Sequence, residues 1–168
     1  FPTYFGAPGI SYEVPFTFAE HGFNLNVLTV NEHTGTHIDA PLHFSADGQS
    51  VDEIPLGNLV CPLCVVDIRA RAAADPDPAL TPDALSAWAA AILIENTVAV
   101  AMAVDTLSLD IGTSATFETH YAWLPTNRFG IENIAGLDAV PAAGATLIVG
   151  APKHAAGSGG PARLLALV

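Results

Sequence analysis

The stretch His33-Thr34-Gly35-Thr36-His37-Ile38-Asp39-Ala40-Pro41-Leu42-His43 gathers three of the chain's six histidines with a carboxylate, and its conformation sets the reading of the whole fold. In an extended strand side chains alternate faces, so His33, Gly35, His37 and Asp39 would project to one side and Thr34, Thr36 and Ile38 to the other. Gly35 would then leave a gap between the two imidazoles, wide enough for an ion or part of a substrate. A helix would carry Asp39 round the cylinder from the histidines, and Gly35, Ile38 and Pro41 all disfavour one. Pro41 is expected to end the strand, which leaves His43 just past the turn, placed to move protons rather than to join the ligand row.

Several polar side chains on one buried face are costly unless something satisfies them. A metal ion does so, whereas isolated histidines would each need a separate hydrogen-bond partner. Imidazoles with a carboxylate form a mixed nitrogen and oxygen set suited to Zn²⁺, Mn²⁺ or Fe²⁺, and zinc or manganese is expected. His21 and His154 stand apart from the cluster and are read as ordinary hydrogen-bonded residues.

Outward from the motif, residues 23–39 are strand-like, with Leu25, Val27, Thr29 and Val30 leading into it. Residues 1–22 are dense in Pro, Gly and aromatics, which suits loops and short edge strands around a pocket. Residues 48–57 read as loop, and 60–68, 97–104, 145–150 and 162–168 as strands. One helix start is clear, with Thr81 as N-cap, Pro82 at the first helical position and an apolar face of Leu85, Trp88 and Ile92. Many strands with few helices imply an α/β or α+β domain.

At 168 residues with 51% hydrophobic and 13% charged side chains, the chain is of single-domain size and can bury a substantial core. Seventeen acidic residues against five basic give a net charge of -12, which repels polyanions, so no nucleic-acid partner is expected. The longest apolar runs, 88–94 and 98–104, fall far short of the roughly 20 residues that cross a bilayer, so no membrane partner is expected either. The first residues show no signal pattern; the expected compartment is the cytoplasm, with export left open. Cys61 and Cys64 form one C-x-x-C inside a β-branched run where spacing of three aims the thiols at opposite faces, and no further cysteine exists to close a zinc site. They are read as core cysteines. Gly157-Ser158-Gly159-Gly160 lacks the Gly-Lys-Ser/Thr ending of a phosphate loop and reads as a turn.

The pattern H-x-G-T-H-x-D-x-P-x-H resembles the signature of the cyclase family of metal-dependent hydrolases, which includes kynurenine formamidase and isatin hydrolase. A second family element, a His followed twelve residues later by Glu, is matched by His120 and Glu132, and residues 104–110 resemble the family's stretch before that His. The resemblance implies an α/β fold with a mixed β-sheet core and peripheral helices, of the swivelling β/β/α-like kind. It implies that His33, His37 and Asp39 bind a first ion and that His43 is the proton donor and acceptor. His120 and Glu132 would complete the site, holding a second ion with Asp39 or, in one-metal members, forming the surrounding shell. The resemblance further implies a homodimer or homotetramer with pockets near the subunit contact.

The resemblance treats residues 1–168 as a single domain. Relatives carry some tens of additional residues where 92–95 here joins the Trp88 helix directly to the next strand. A loop near 92–96 is therefore expected to be either deleted or missing from this sequence, the second being favoured because active-site lids are commonly mobile.

The expected reaction is hydrolysis of an amide, lactam or ester by a metal-activated water with His43 as general base and acid. The expected substrate is a small aromatic or cyclic molecule, with Phe5, Phe23 and Trp123 as candidates to line its pocket. Two rival readings use the same residues. His37, Asp39 and His120 would fit the triad of a non-haem Fe(II) oxygenase, with Arg128 gripping a keto acid, but this leaves His33, His43 and Glu132 without roles. The other rival is a metal-binding module without catalysis.

Overall fold

The computed structural model describes residues 9–74, 99–112 and 114–168. The elements that matter are strands β1 (Ile10–Phe16), β2 (Leu25–Val30), β3 (His37–Asp39), β4 (Val60–Leu63), β5 (Ala101–Ala103), β6 (Phe129–Glu132), β7 (Ala145–Gly150), β8 (Gly159–Pro161) and β9 (Arg163–Leu167). Among the described residues three short helices accompany them, α1 (Phe18–His21), α2 (Arg69–Ala74) and α3 (Glu118–Trp123).

The strands form three sheets: an antiparallel β1–β2 ribbon, a mixed sheet ordered β5–β6–β3–β8, and an antiparallel sheet ordered β4–β7–β9. In the mixed sheet β5 and β6 run parallel and the other pairs antiparallel. Ile38, Phe129 and Ile131 point from one face of this sheet into the core, where they meet Leu147 and Val149 from β7 and Val51 and Ile54 from the 48–57 loop. Strand β7 alternates buried and half-buried positions, as a strand with one face on the core must. The mixed sheet with peripheral helices agrees with the α/β expectation.

The sequence boundaries needed adjustment in three places. The 23–39 strand breaks into β2 and β3, separated by bends over 32–36. The 60–68 strand stops at Leu63, and of the 97–104 strand the described residues, 99–104, form only β5. The 145–150 strand falls where expected, and β9 ends one residue inside the 162–168 expectation. The Trp88 helix and the 92–96 junction lie outside the described residues. Cys61 and Cys64 are free thiols and half-buried; Cys61 packs against the core as expected, and burial raises both their pKa values.

Candidate metal centre and active site

Strand β3 is short but central, and the site is built by what lies beside it. In antiparallel register His37 faces Glu132 of β6, and Asp39 faces Gly130 of β6 on one side and Gly159 of β8 on the other. Since Ile38 points into the core, His37 and Asp39 share the opposite face, as period-two alternation requires. Both are almost wholly buried, at 3% and 1% exposure.

His33 does not belong to that strand, so the expected row of ligands on one extended segment is corrected. It arrives from the bend over 32–36, which turns at Gly35 with φ of +62°, a left-handed conformation that a side chain would strain. Gly35 therefore serves the backbone, not as a gap for the ion. Its carbonyl accepts the Nδ1–H of His37 at 2.8 Å and the side-chain amide of Asn133 at 3.1 Å. The gap is supplied by the neighbouring strands. A Cβ on Gly130 would lie 2.7 Å from Leu109 Cδ1 and 3.2 Å from Asp39 Oδ2, and one on Gly159 would collide with the Ile38 carbonyl and the His33 ring.

Asp39 is the hub. Its Oδ1 lies 2.8 Å from His33 Nδ1 and 3.3 Å from His37 Nε2, while its Oδ2 faces His120 Nε2 at 3.8 Å. His120 stands on α3, and its Nε2 is also 3.3 Å from Glu132 Oε1; Glu132 Oε2 is 3.5 Å from His37 Nε2. Two triads result, His33–His37–Asp39 and Asp39–His120–Glu132, each with its ligand atoms within 4.8 Å of one another.

Each imidazole is oriented from behind, which fixes the nitrogen that faces the centre. Besides the Gly35 bond to His37, Asp110 Oδ2 accepts His120 Nδ1–H at 2.5 Å. His33 Nε2 lies 3.0 Å from Ser158 Oγ, and the serine hydroxyl donates to Glu32, which also pairs with His154. Asp110, Ser158, Glu32 and Asn133 were not found from sequence. Asp110 lay inside the family-like 104–110 stretch and Ser158 inside the glycine turn, but neither had a local pattern to mark it. His154 is a hydrogen-bonded residue, as expected, and its partner is Glu32.

The electrostatics follow from burial among these groups. Burial opposes the charge on Asp39, but the His120, His33 and His37 imidazoles gathered around it outweigh that and hold the carboxyl well below the usual range. Burial pulls His120 down, yet the Asp39, Glu132 and Asp110 carboxylates more than offset this and raise it to about 10. His37 is raised for a similar reason, with burial opposed by Asp39. His43 behaves differently. Burial, reinforced by the neighbouring His33 ring, lowers its pKa to about 4, so at neutral pH it is an uncharged base.

His43 follows Pro41 on a single 3₁₀ turn, as the sequence implied, with its ring stacked on His33 at 3.8 Å and 6.0 Å from His120. Beside it stands an aromatic wall that the sequence did not suggest. Phe44 lies 4.7 Å from His43, 4.6 Å from His120, 4.9 Å from Tyr121 and 5.6 Å from Phe117. Phe117 caps α3 at φ of +52°, a left-handed conformation that a bulky residue adopts only when its surroundings hold it there. The aromatics expected from sequence are placed otherwise. Phe23 stacks on Phe16 in the ribbon, Trp123 donates to the Phe129 carbonyl with Arg128 over its face, and Phe5 lies outside the described residues.

Metal binding can be tested against the donor set itself. Asp39 Oδ2 is buried without a hydrogen-bond partner, the one side-chain polar atom in that state among the described residues. A buried, ionised oxygen left bare costs several kcal/mol. It points at His120 and Glu132, where a cation would satisfy it, so the residues present fit a divalent ion.

Similarity to known proteins agrees with this geometry. Residues 2–125 match the Cyclase family, described as "Putative cyclase". A kynurenine formamidase from Salinibacter ruber is 49% identical over 53 residues, covering 32% of this chain and 25% of that protein. An isatin hydrolase from Roseibium aggregatum is 31% identical over 199 aligned positions, covering 87% of this chain and 75% of that one. The solved isatin hydrolase A from Labrenzia aggregata, bound to benzyl benzoate, superposes with a TM-score of 0.84 at 27% identity, over 95% of this chain and 83% of that one. The match thus spans a quarter of the formamidase and three quarters of the isatin hydrolase sequence. With the complete His33 to His43 signature at the centre of the sheet, the chain belongs to the cyclase family of metal-dependent hydrolases.

Proposed function

We propose that this protein hydrolyses an amide, lactam or ester bond in a small aromatic or cyclic molecule. The observation that carries this is Asp39, whose two oxygens face two separate ligand triads and whose Oδ2 has no protein partner. His33, His37 and Asp39 would hold one ion, and Asp39, His120 and Glu132 a second, with Asp39 shared. Zn²⁺ or Mn²⁺ suits these nitrogen and oxygen donors. When bound, such an ion supplies Lewis acidity toward the scissile carbonyl and makes water acidic enough to attack at neutral pH.

The protein's own part is proton movement and orientation. His43, neutral at pH 7, takes the proton of the attacking water and returns it to the departing nitrogen or oxygen. The Gly35 carbonyl, Asp110 and Ser158 keep His37, His120 and His33 turned to the centre. The Phe44 ring next to His43, with Phe117 beside Phe44 and His120, suits a flat, apolar substrate, and the benzyl benzoate in the related isatin hydrolase is an aromatic ester. An oxygenase triad of His37, Asp39 and His120 would leave His33 and Glu132 unexplained although both lie within the same cluster. Homo-oligomeric assembly, as dimer or tetramer, and a cytoplasmic location, which suits two unpaired cysteines, complete the proposal.

The test is metal content per chain together with hydrolysis of N-formyl aromatic amines, isatin and aromatic esters. His43→Ala should keep its metal and lose about 10²- to 10⁴-fold in kcat. Full activity in that variant, or oxygen consumption tied to turnover, would sink the proposal.

A further inference from the structure

The β3–β6 ladder ends on the rung that pairs His37 with Glu132, and one residue beyond it both chains leave the sheet. On the β6 side that residue is Asn133, half-buried and left-handed at φ of +54°. On the β3 side it is Thr36, preceded by Gly35 at φ of +62°. Two left-handed bends therefore meet where two metal ligands have just left the sheet.

Asn133 grips the Gly35–Thr36 segment at two points. Its side-chain amide donates to the Gly35 carbonyl at 3.1 Å, and its own carbonyl accepts the Thr36 hydroxyl at 2.6 Å. The same Gly35 carbonyl accepts His37 Nδ1–H at 2.8 Å. Asn133 is itself held, since its backbone N–H donates to the Thr106 carbonyl at 2.9 Å. Glu132 has a separate anchor: its Oε1 accepts the Leu109 N–H at 2.8 Å, and its Oε2 lies 3.5 Å from His37 Nε2.

A glycine peptide on a bend rotates more freely than one in a ladder, and rotation here would carry away the acceptor that orients His37. The Asn133 amide opposes that rotation. The backbone conformation alone does not call for asparagine, because glycine meets a positive φ with less strain than any other residue. What glycine lacks is the amide, and the amide is the group that reaches Gly35.

We infer that Asn133 is a positioning residue: by holding the Gly35 carbonyl it sets the direction in which His37 Nε2 points. It thereby ties strand β6, which carries Glu132 of one ligand triad, to His37 of the other. This rests on the two-triad metal centre proposed above, and Asn133 acts there through His37 rather than on an ion or the substrate.

The test titrates metal-free wild type, Asn133→Gly and Asn133→Asp with Mn²⁺ by calorimetry, and records the visible spectrum of each protein loaded with Co²⁺, which reports how the ligands are arranged. Asn133→Gly keeps the left-handed backbone and the carbonyl for Thr36 and removes the amide alone. It should retain the wild-type circular dichroism, weaken the His33–His37–Asp39 step by about 10- to 100-fold, and alter the Co²⁺ spectrum. Asn133→Asp keeps the shape but turns a second acceptor on the Gly35 carbonyl, so it should lose at least as much. A residue needed only to end β6 at positive φ would accept glycine without loss. Wild-type affinity and spectrum in folded Asn133→Gly therefore overturn the inference and leave the metal centre standing. If both Asn133 variants misfold, Thr36→Val decides, because it removes the second grip and leaves Asn133 in place: it should weaken the same step, and unchanged affinity overturns the inference. A wild type that takes up no Mn²⁺ overturns the metal centre and the role of Asn133 together.

Discussion

Asp110→Asn is the sharpest probe of how the centre is held. Asp110 is 8% exposed and uses both oxygens, Oδ2 on His120 Nδ1 at 2.5 Å and Oδ1 on the Thr119 backbone N–H at 2.6 Å. Asparagine is nearly isosteric but keeps one acceptor. If its oxygen stays on Thr119, its amide faces His120 Nδ1 and can only donate, so the ring must carry its proton on Nε2. That proton occupies the lone pair aimed at Asp39 and Glu132. If the amide flips, the bond to Thr119 at the start of α3 is lost at about 1 kcal/mol, the usual size of a cap. Loss of such an orienting carboxylate typically weakens metal affinity about 10- to 100-fold, or roughly 1.4 to 2.7 kcal/mol. Calorimetric titration of metal-free protein should show this loss confined to the Asp39–His120–Glu132 step, with the His33–His37–Asp39 step as internal reference. Equal affinities in a folded variant would refute the claim that Asp110 sets the His120 tautomer.

Three further outcomes follow from the same geometry. In metal-free protein His120 is protonated at pH 7, because its pKa is raised to about 10, so loading the second ion should release a proton, visible as a dependence of binding heat on buffer ionisation enthalpy. For stability the sign is that of a raised histidine: the contribution of His120 to metal-free protein is complete below about pH 6.5 and fades as pH climbs through about 10. The depressed Asp39 carboxyl gives the opposite limb, its contribution lost as pH falls below the ordinary aspartate range. Denaturant unfolding across pH should show both. Gly130→Ala places a methyl against Leu109 and Asp39 Oδ2 and should cost about 1 to 3 kcal/mol while weakening metal binding; an unperturbed melting temperature would contradict the packing described. Ser158→Ala removes the partner of His33 Nε2 and should weaken the first ion rather than the second, the reverse of Asp110→Asn.

The part of the site that was legible in sequence is the part made of near neighbours. His37 and Asp39 share a face because two residues along any strand do so, and Pro41 sends the chain into the turn that carries His43. His120 and Glu132 carried no pattern of their own and were visible through the family resemblance alone. Helix α3 and strand β6 then brought them to Asp39. Glu32, Asp110, Asn133 and Ser158 were invisible because hydrogen bonds such as Ser158 to His33 join residues 125 apart, and no local periodicity records such a contact.

What sequence alone supplied is the composition of the centre: two imidazoles and a carboxylate close together on one short segment, with a further histidine, His43, just past Pro41. The conformation that presents them was decided by the tertiary structure. Gly35 seemed to make room beside an extended row, but it adopts φ of +62° and breaks the row, and the room is made by Gly130 and Gly159 on the neighbouring strands. The physical reason is that a glycine's missing Cβ can serve either a backbone turn or a close approach. Which of the two it serves depends on the strands that pack beside it.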